Sequence, residues 1–225
     1  MKILAVQIRN AFVTTICLAA LAAGGAFAQH EGHSDHQFKD AQKWAQVFDD
    51  PARDAWQKPH EVISALKLAP DAAIADIGAG TGYFAARFSH MLAKGKVYAV
   101  DLEPDMVKHL GERAKKENLA NLTPVLGATD SPKIPMPVDL VILVDVYHHI
   151  GAREQYFGKL RESLKTNGRV AIIDFRMDAT MGPSKAMRIA PERVKTEMAK
   201  AGYALAEEHA FLPQQYFLVF KAGAQ

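Results

Sequence analysis

The stretch Ala72-Ala73-Ile74-Ala75-Asp76-Ile77-Gly78-Ala79-Gly80-Thr81-Gly82-Tyr83-Phe84 constrains this chain more than any other. A short apolar run carries a carboxylate near its end. Three glycines follow at alternate positions, and a helical pattern begins at once. That order reads as a strand, a tight turn and a helix N-terminus, the kind of corner on which nucleotides are held. Glycine suits such a turn because it adopts positive φ at little cost and, lacking a Cβ, lets a ligand approach the backbone.

Apolar runs and helical patterns alternate beyond this corner. Strands are expected at 72–77, 96–101, 121–127, 138–145 and 169–175, with helices at 81–94, 104–118, 151–164 and 191–201. Near-continuous apolar strands such as Leu140-Val141-Ile142-Leu143-Val144, spaced by helices, indicate a parallel sheet covered on both faces. Two last strands, 203–210 and 214–220, are joined by the short Leu212-Pro213 connection, which makes them an antiparallel hairpin at the sheet edge. The expected fold class is α/β, with a doubly wound, mostly parallel seven-stranded sheet. Two helices, 38–50 and 59–68, precede the first strand and form a cover. Trp44, Val47 and Phe48 share one face of the first helix. Trp44 and Trp56 either line a ligand site or serve as core.

The first 28 residues differ in kind. Lys2 and Arg9 are their only charges, a small and apolar run follows, and Ala26-Phe27-Ala28 fits the cleavage signature of a secretory signal peptide. The alternative is an uncleaved anchor, since residues 10–28 form an uncharged run of 19. Export to a periplasm is the expectation. Residues 1–28 are then a signal peptide and 29–37 a histidine-rich terminus. Residues 38–225 form one domain, with a helical cover over 38–70 and the sheet core over 71–225. His30, His33 and His36 bind a metal ion or lie in a solvated terminus, and no metal site is assigned to them. Cys17 is the sole cysteine and lies inside the signal, behind Ile16 where a lipid-anchored signal needs a small residue. A cleaved chain therefore has no disulfide, thiolate metal site or cysteine nucleophile. Loss of Lys2 and Arg9 from 27 basic residues balances the 25 acidic ones, which argues against a non-specific nucleic-acid binder.

In an open parallel sheet, ligands bind beyond the carboxyl ends of the strands. Asp76, Asp101, Asp145 and Asp174 stand at or near four such ends, and Asp130 lies in the loop after the third strand. Asp101, 19 residues beyond Gly82, is placed to accept both hydrogen bonds of a ribose diol.

At this point the chain resembles class I S-adenosylmethionine-dependent methyltransferases. The resemblance rests on Asp76-Ile77-Gly78-Ala79-Gly80-Thr81-Gly82, on Val100-Asp101, on Asp145-Val146-Tyr147-His148-His149-Ile150, on Gly168-Arg169-Val170 and on the terminal hairpin. It implies a Rossmann-like methyltransferase fold with S-adenosylmethionine as cofactor. It implies that Asp76, Gly78, Ala79, Gly80 and Gly82 hold the methionine end. Asp101 would bind the ribose, Leu102 would pack on adenine, and Asp130 would reach the adenine amino group with Thr129 beside it. The segment from Asp145 to His148 would line the methionine and substrate side.

Methyl transfer from a sulfonium is an in-line displacement, so the protein aligns the reactants and excludes water. A base matters only if the acceptor must lose a proton. His148 and His149 are the candidates, with Tyr147 and Asp145 to orient the acceptor. The expected partner is a small-molecule acceptor, with no nucleic acid and no stable membrane association after cleavage. Two alternatives stand beside this reading. One is an exported binding protein without turnover. The other is a nicotinamide-dependent oxidoreductase, since Gly80-Thr81-Gly82-Tyr83-Phe84-Ala85 also fits G-x-G-x-x-A. Asp76 directly before the turn counts against a pyrophosphate there and suits a cationic ligand.

Overall fold

Strands that are apolar on both sides must be covered on both sides, and the computed structural model shows how. It describes residues 40–223. The expected signal segment, His30, His33, His36 and the start of the first helix lie outside the described residues.

Seven strands form one sheet in the order β3-β2-β1-β4-β5-β7-β6. They are β1 (Ala73–Ile77), β2 (Lys96–Asp101), β3 (Leu122–Leu126), β4 (Val138–Val144), β5 (Leu164–Phe175), β6 (Tyr203–His209) and β7 (Gln215–Ala222). Strands β1 to β5 pair in parallel. The closing strands β6 and β7 are antiparallel, with β7 against β5 and β6 at the edge. The sheet is therefore mostly parallel with a C-terminal antiparallel hairpin. Strand order reverses between β1 and β4, which opens a crevice at their carboxyl ends.

Alternation along each strand splits the core in two. Ile74, Leu140, Ile142, Ala171, Ile173, Phe217 and Val219 face one layer, with Phe84 and Phe88 of α4 (Tyr83–Met91) and Leu110 of α5 (Pro104–Lys116). Ala75, Val141, Leu143, Ile172, Leu218 and Phe220 face the other, with Phe157 of α6 (Arg153–Leu160) and Met198 of α7 (Pro191–Lys200). Each buried Val, Leu, Ile, Phe or Met among them contributes about 1.5–3 kcal/mol by leaving water. The two layers fix the strand ends rigidly enough to carry a site.

Three helices precede β1: α1 (Ala41–Phe48), α2 (Arg53–Gln57) and α3 (Pro59–Ala65). The short α2 has no clear apolar pattern and was not expected from the sequence. Val47, expected on the apolar face of α1, is 60% exposed. Ala41 at its start is buried, and the Trp44 and Phe48 rings stack 5.2 Å apart. The expected turn at Asn167-Gly168 lies inside β5. Asn167 takes a left-handed backbone (φ 68), and the β4–β5 register slips between Val138 and Leu140. Among the described residues, no helix is long and apolar enough to cross a membrane.

Candidate active site

From Ile77 the chain turns through Gly78 to Gly82 into α4. Gly78 has φ +70, and a Cβ there would stand 2.4 Å from Val146 Cγ2, so a side chain is excluded twice over. Gly82, just before α4, has φ +92, and a Cβ there would meet Leu110 at 2.8 Å. The N–H groups of Gly78 and Ala79 both donate to Val100 O (2.8 and 2.9 Å), which ties the turn to the end of β2. Asp101 sits at that end. Its Oδ2 accepts from Gly80 N–H (2.8 Å) and its Oδ1 from Glu103 N–H (3.0 Å). A carboxylate has about four acceptor sites, so acceptor capacity remains for a ligand hydroxyl. The next residue, Leu102, is 51% exposed, an apolar side chain left open beside the corner.

Carboxylates gather beneath and beside the turn. Asp76 is 3% exposed, lies beneath the turn and is faced by the Ala85 N–H in the first turn of α4. Burial, and then the nearby Asp101 carboxylate, push its pKa up to about 7. Burial also raises that of Asp101, held back by the N–H groups of Glu103 and Gly80. Inside the turn, the Thr81 hydroxyl is buried with no hydrogen-bond partner. A set of buried carboxylates that resist ionisation favours a cationic ligand, whose charge restores them to the ionised form. A pyrophosphate would meet the opposite.

The end of β4 adds a second polar cluster. Asp145 takes a left-handed backbone (φ 61), a conformation that is uncommon outside glycine and concentrates at functional sites. Its carboxylate accepts from Gln57 Nε2 (3.2 Å) and from Gln215 Nε2, and Arg53 lies 3.7 Å away. Gln57 is fully buried and also donates to Gln215 Oε1 (3.1 Å). Burial, and then the neighbouring Asp174, raise the pKa of Asp145, while Arg53 and Gln57 oppose the rise. Sequence reasoning missed Arg53, Gln57 and Gln215. Nothing in their local pattern marks them, because their partners lie far along the chain.

These residues also latch the cover. Phe48 packs where a Gly80 Cβ would point, at 3.3 Å. Arg53 donates to Phe48 O (2.7 Å) and lies over the Tyr83 ring at 4.2 Å, with Arg87 at 3.9 Å from the same ring centroid. Asp54 accepts from the Tyr83 hydroxyl and from Arg87 (2.9 Å). Arg113 of α5 binds both Asp49 and Thr81 O at 3.0 Å. Helices α1 and α2 therefore sit directly over the glycine turn.

The remaining sequence candidates divide. His148 and His149 lie in a 3-10 turn over Tyr147–His149, their ring centroids 4.1 Å apart. His148 Nδ1 is 2.8 Å from Asp174 Oδ2, and its N–H donates to the same oxygen (3.2 Å). Tyr147 is fully buried against Phe157, and its hydroxyl donates to Glu197 Oε2 (2.7 Å), which ties it to the α6–α7 layer. Asp130 and Thr129 are both exposed, and the Asp130 carboxylate lies 3.3 Å from Lys159 of α6. The Gly127 N–H donates to Asp101 O (2.9 Å), and Asp130 lies in the turn closed by Ala128 and Ser131.

Comparison with known proteins matches this geometry. Residues 68–215, more than half of the chain, match a family model described as a methyltransferase domain. A SAM-dependent methyltransferase from Aquifex aeolicus superposes with a TM-score of 0.74 at 24% identity, over 81% of this chain and 98% of its own. The CcbJ methyltransferase from Streptomyces caelestis gives 0.64 at 16% identity, over 80% and 96%. A TehB-like SAM-dependent methyltransferase from Corynebacterium glutamicum gives 0.61 at 18%, over 81% and 97%. These likenesses concern the fold. No curated protein matches the chain. The domain match covers the glycine corner, the crevice and the strands that carry them, and the chain belongs to the methyltransferase-domain family.

Proposed function

We propose that the protein transfers a methyl group from S-adenosylmethionine to a small-molecule acceptor. The observation that carries this reading is the pairing of the glycine turn with the buried Asp76 and the half-buried Asp101, two carboxylates whose pKa values are both raised. The residues fit the donor. Asp76 and the turn would hold its charged methionine end, with the unpartnered Thr81 hydroxyl as a further polar contact. Asp101 would take the ribose diol and Leu102 would cover the adenine. Asp145 borders the methionine side. The donor supplies an activated methyl group on a sulfonium, and the chain's own work is to align the acceptor and keep water out. The latched α1–α2 cover does the second, and the β4 and β5 ends do the first.

Release of S-adenosylhomocysteine in the presence of an acceptor panel tests this reading. Turnover with at least one small molecule is expected, and Asp76→Asn is expected to lower donor affinity by about tenfold or more, through loss of a charge-assisted contact. Donor binding without transfer to any acceptor would favour a binding protein, and no donor binding would overturn the reading. We also propose that residues 1–28 direct export. The mass of the mature chain tests this, and a species beginning at Gln29 is expected; an intact N-terminus would contradict it.

A further inference from the structure

The connection from β5 to α7, residues 176–190, is longer than the roughly two to six residues such a link needs, and long links without helix or strand of their own concentrate at functional sites. It is nonetheless held as one piece by a single side chain. Arg188 Nε donates to Pro183 O (2.9 Å), Nη1 to Ala179 O (2.7 Å) and Arg176 O (3.2 Å), and Nη2 to Met181 O (3.0 Å). A guanidinium is a rigid planar fork of donors, which suits it to clasping several carbonyls at once. The lobe is also tied to the start of β7. Thr180 N–H donates to Gln214 Oε1 (2.9 Å), and Arg176 N–H to Gln214 O (3.0 Å).

This lobe bears on the crevice through one ring. A Cβ on Gly182 would stand 2.6 Å from Phe175 Cε1, so the lobe's backbone lies directly against the Phe175 ring. Phe175 is 5% exposed, and its ring meets that of Trp56 in α2 at 5.8 Å. Trp56 itself is only half-buried. Both rings adjoin the cluster at the end of β4. Trp56 directly precedes Gln57, and Phe175 pairs with Gln215, and these two amides bond Asp145. The charged groups there already have partners: Asp145 has Arg53 and the two amides, and Asp174 has His148. Trp56 adds to them a large apolar face that is still partly open.

We infer that an aromatic methyl acceptor stacks on Trp56, and that Arg188 is a positioning residue that fixes the angle of that ring through the 176–190 lobe and Phe175. This deepens the methyl-transfer reading and rests on it. The acceptor is a flat ring compound recognised by its π-face. A cation would also favour an indole face, but Arg53 already stands against Asp145 and His148 against Asp174. A ring set from behind by a rigid lobe holds the acceptor at one distance from the end of β4, as an in-line transfer requires.

The test uses the full chain and pairs of compounds that differ in ring saturation, naphthols and aminonaphthalenes against their decahydro counterparts. Calorimetry on the chain loaded with S-adenosylhomocysteine reads binding without turnover, and S-adenosylhomocysteine release from S-adenosylmethionine reads transfer. Wild type should bind at least one aromatic member about tenfold more tightly than its saturated counterpart, and methylate it. Trp56→Ala should raise the KM for that acceptor about tenfold with donor affinity unchanged, and Trp56→Phe should restore most of the loss. Arg188→Lys, which keeps the charge and loses the fork, should raise the same KM and leave donor affinity alone. Should Arg188→Lys fail to fold, the Trp56 variants and the saturation pairs still decide. Equal binding of aromatic and saturated rings by wild type, or a wild-type KM in folded Trp56→Ala, overturns the proposal. A wild-type KM in folded Arg188→Lys overturns the part given to the clasp. Donor binding with no ring compound methylated overturns the proposal while the donor reading stands, and absence of donor binding by wild type overturns both.

Discussion

Asp76 shows at one residue how a site is held ready at the expense of the fold. Its carboxyl is buried, and its folded pKa lies at about 7, above the ordinary carboxylate value near 4. The folded chain therefore binds this proton more tightly than the unfolded chain does. The stabilising contribution is fully present below pH ~4 and is lost as pH rises through about 7. Asp76→Asn should raise the stability of the ligand-free protein at pH 8 by about 2 kcal/mol, roughly half of what a three-unit shift corresponds to, with little gain near pH 4. Thermal unfolding at the two pH values checks this, and an equal gain at both would refute the burial argument. The role of Asp76 was legible because it stands in the one stretch whose local geometry is dictated by glycine. Asp130 and Tyr147 were less legible. Each carries a suitable functional group near a strand end, yet Asp130 lies in the 128–131 turn beside Lys159, and Tyr147 packs on Phe157 and bonds Glu197. Spacing reports distance along a strand and not the direction a loop takes after it.

Among the elements, strands were readable from apolar runs and helix starts from Pro59, Pro104 and Pro191, each at a first helical turn. The short α2 was not. Arg53 to Gln57 offers no periodic face, and its order comes from Asp145, 88 residues away from Gln57, and from Gln215, 158 away. Such a helix is specified by buried polar partners that only the folded chain assembles. Gln57→Ala should accordingly destabilise the protein by about 1–3 kcal/mol, since it leaves Asp145 and Gln215 with unfilled hydrogen bonds in a buried place. Denaturant unfolding measures this, and a change near zero would mean that water or Arg53 replaces Gln57 without cost. The α1–α2 cover should also loosen, so the same variant is expected to release a bound donor faster.

Over the whole molecule, the apolar runs specify a parallel sheet but not the order of its strands. Placing β1 beside β4, with β7 between β5 and β6, follows from packing two apolar faces at once. That order gathers Asp76, Asp101 and Asp145 along one edge of the sheet from positions spread over 70 residues of chain. The edge is where the account stands or fails, and calorimetric titration of the full chain at pH 8 with S-adenosylmethionine, and with NAD in parallel, tests it most directly. One-site binding of S-adenosylmethionine and no heat with NAD are predicted. Asp101→Ala should bind the donor about 10- to 100-fold more weakly, as loss of a hydrogen bond to a charged group implies. No heat with S-adenosylmethionine, or an Asp101→Ala affinity equal to that of wild type, would contradict the assignment of the glycine corner to a methyl donor.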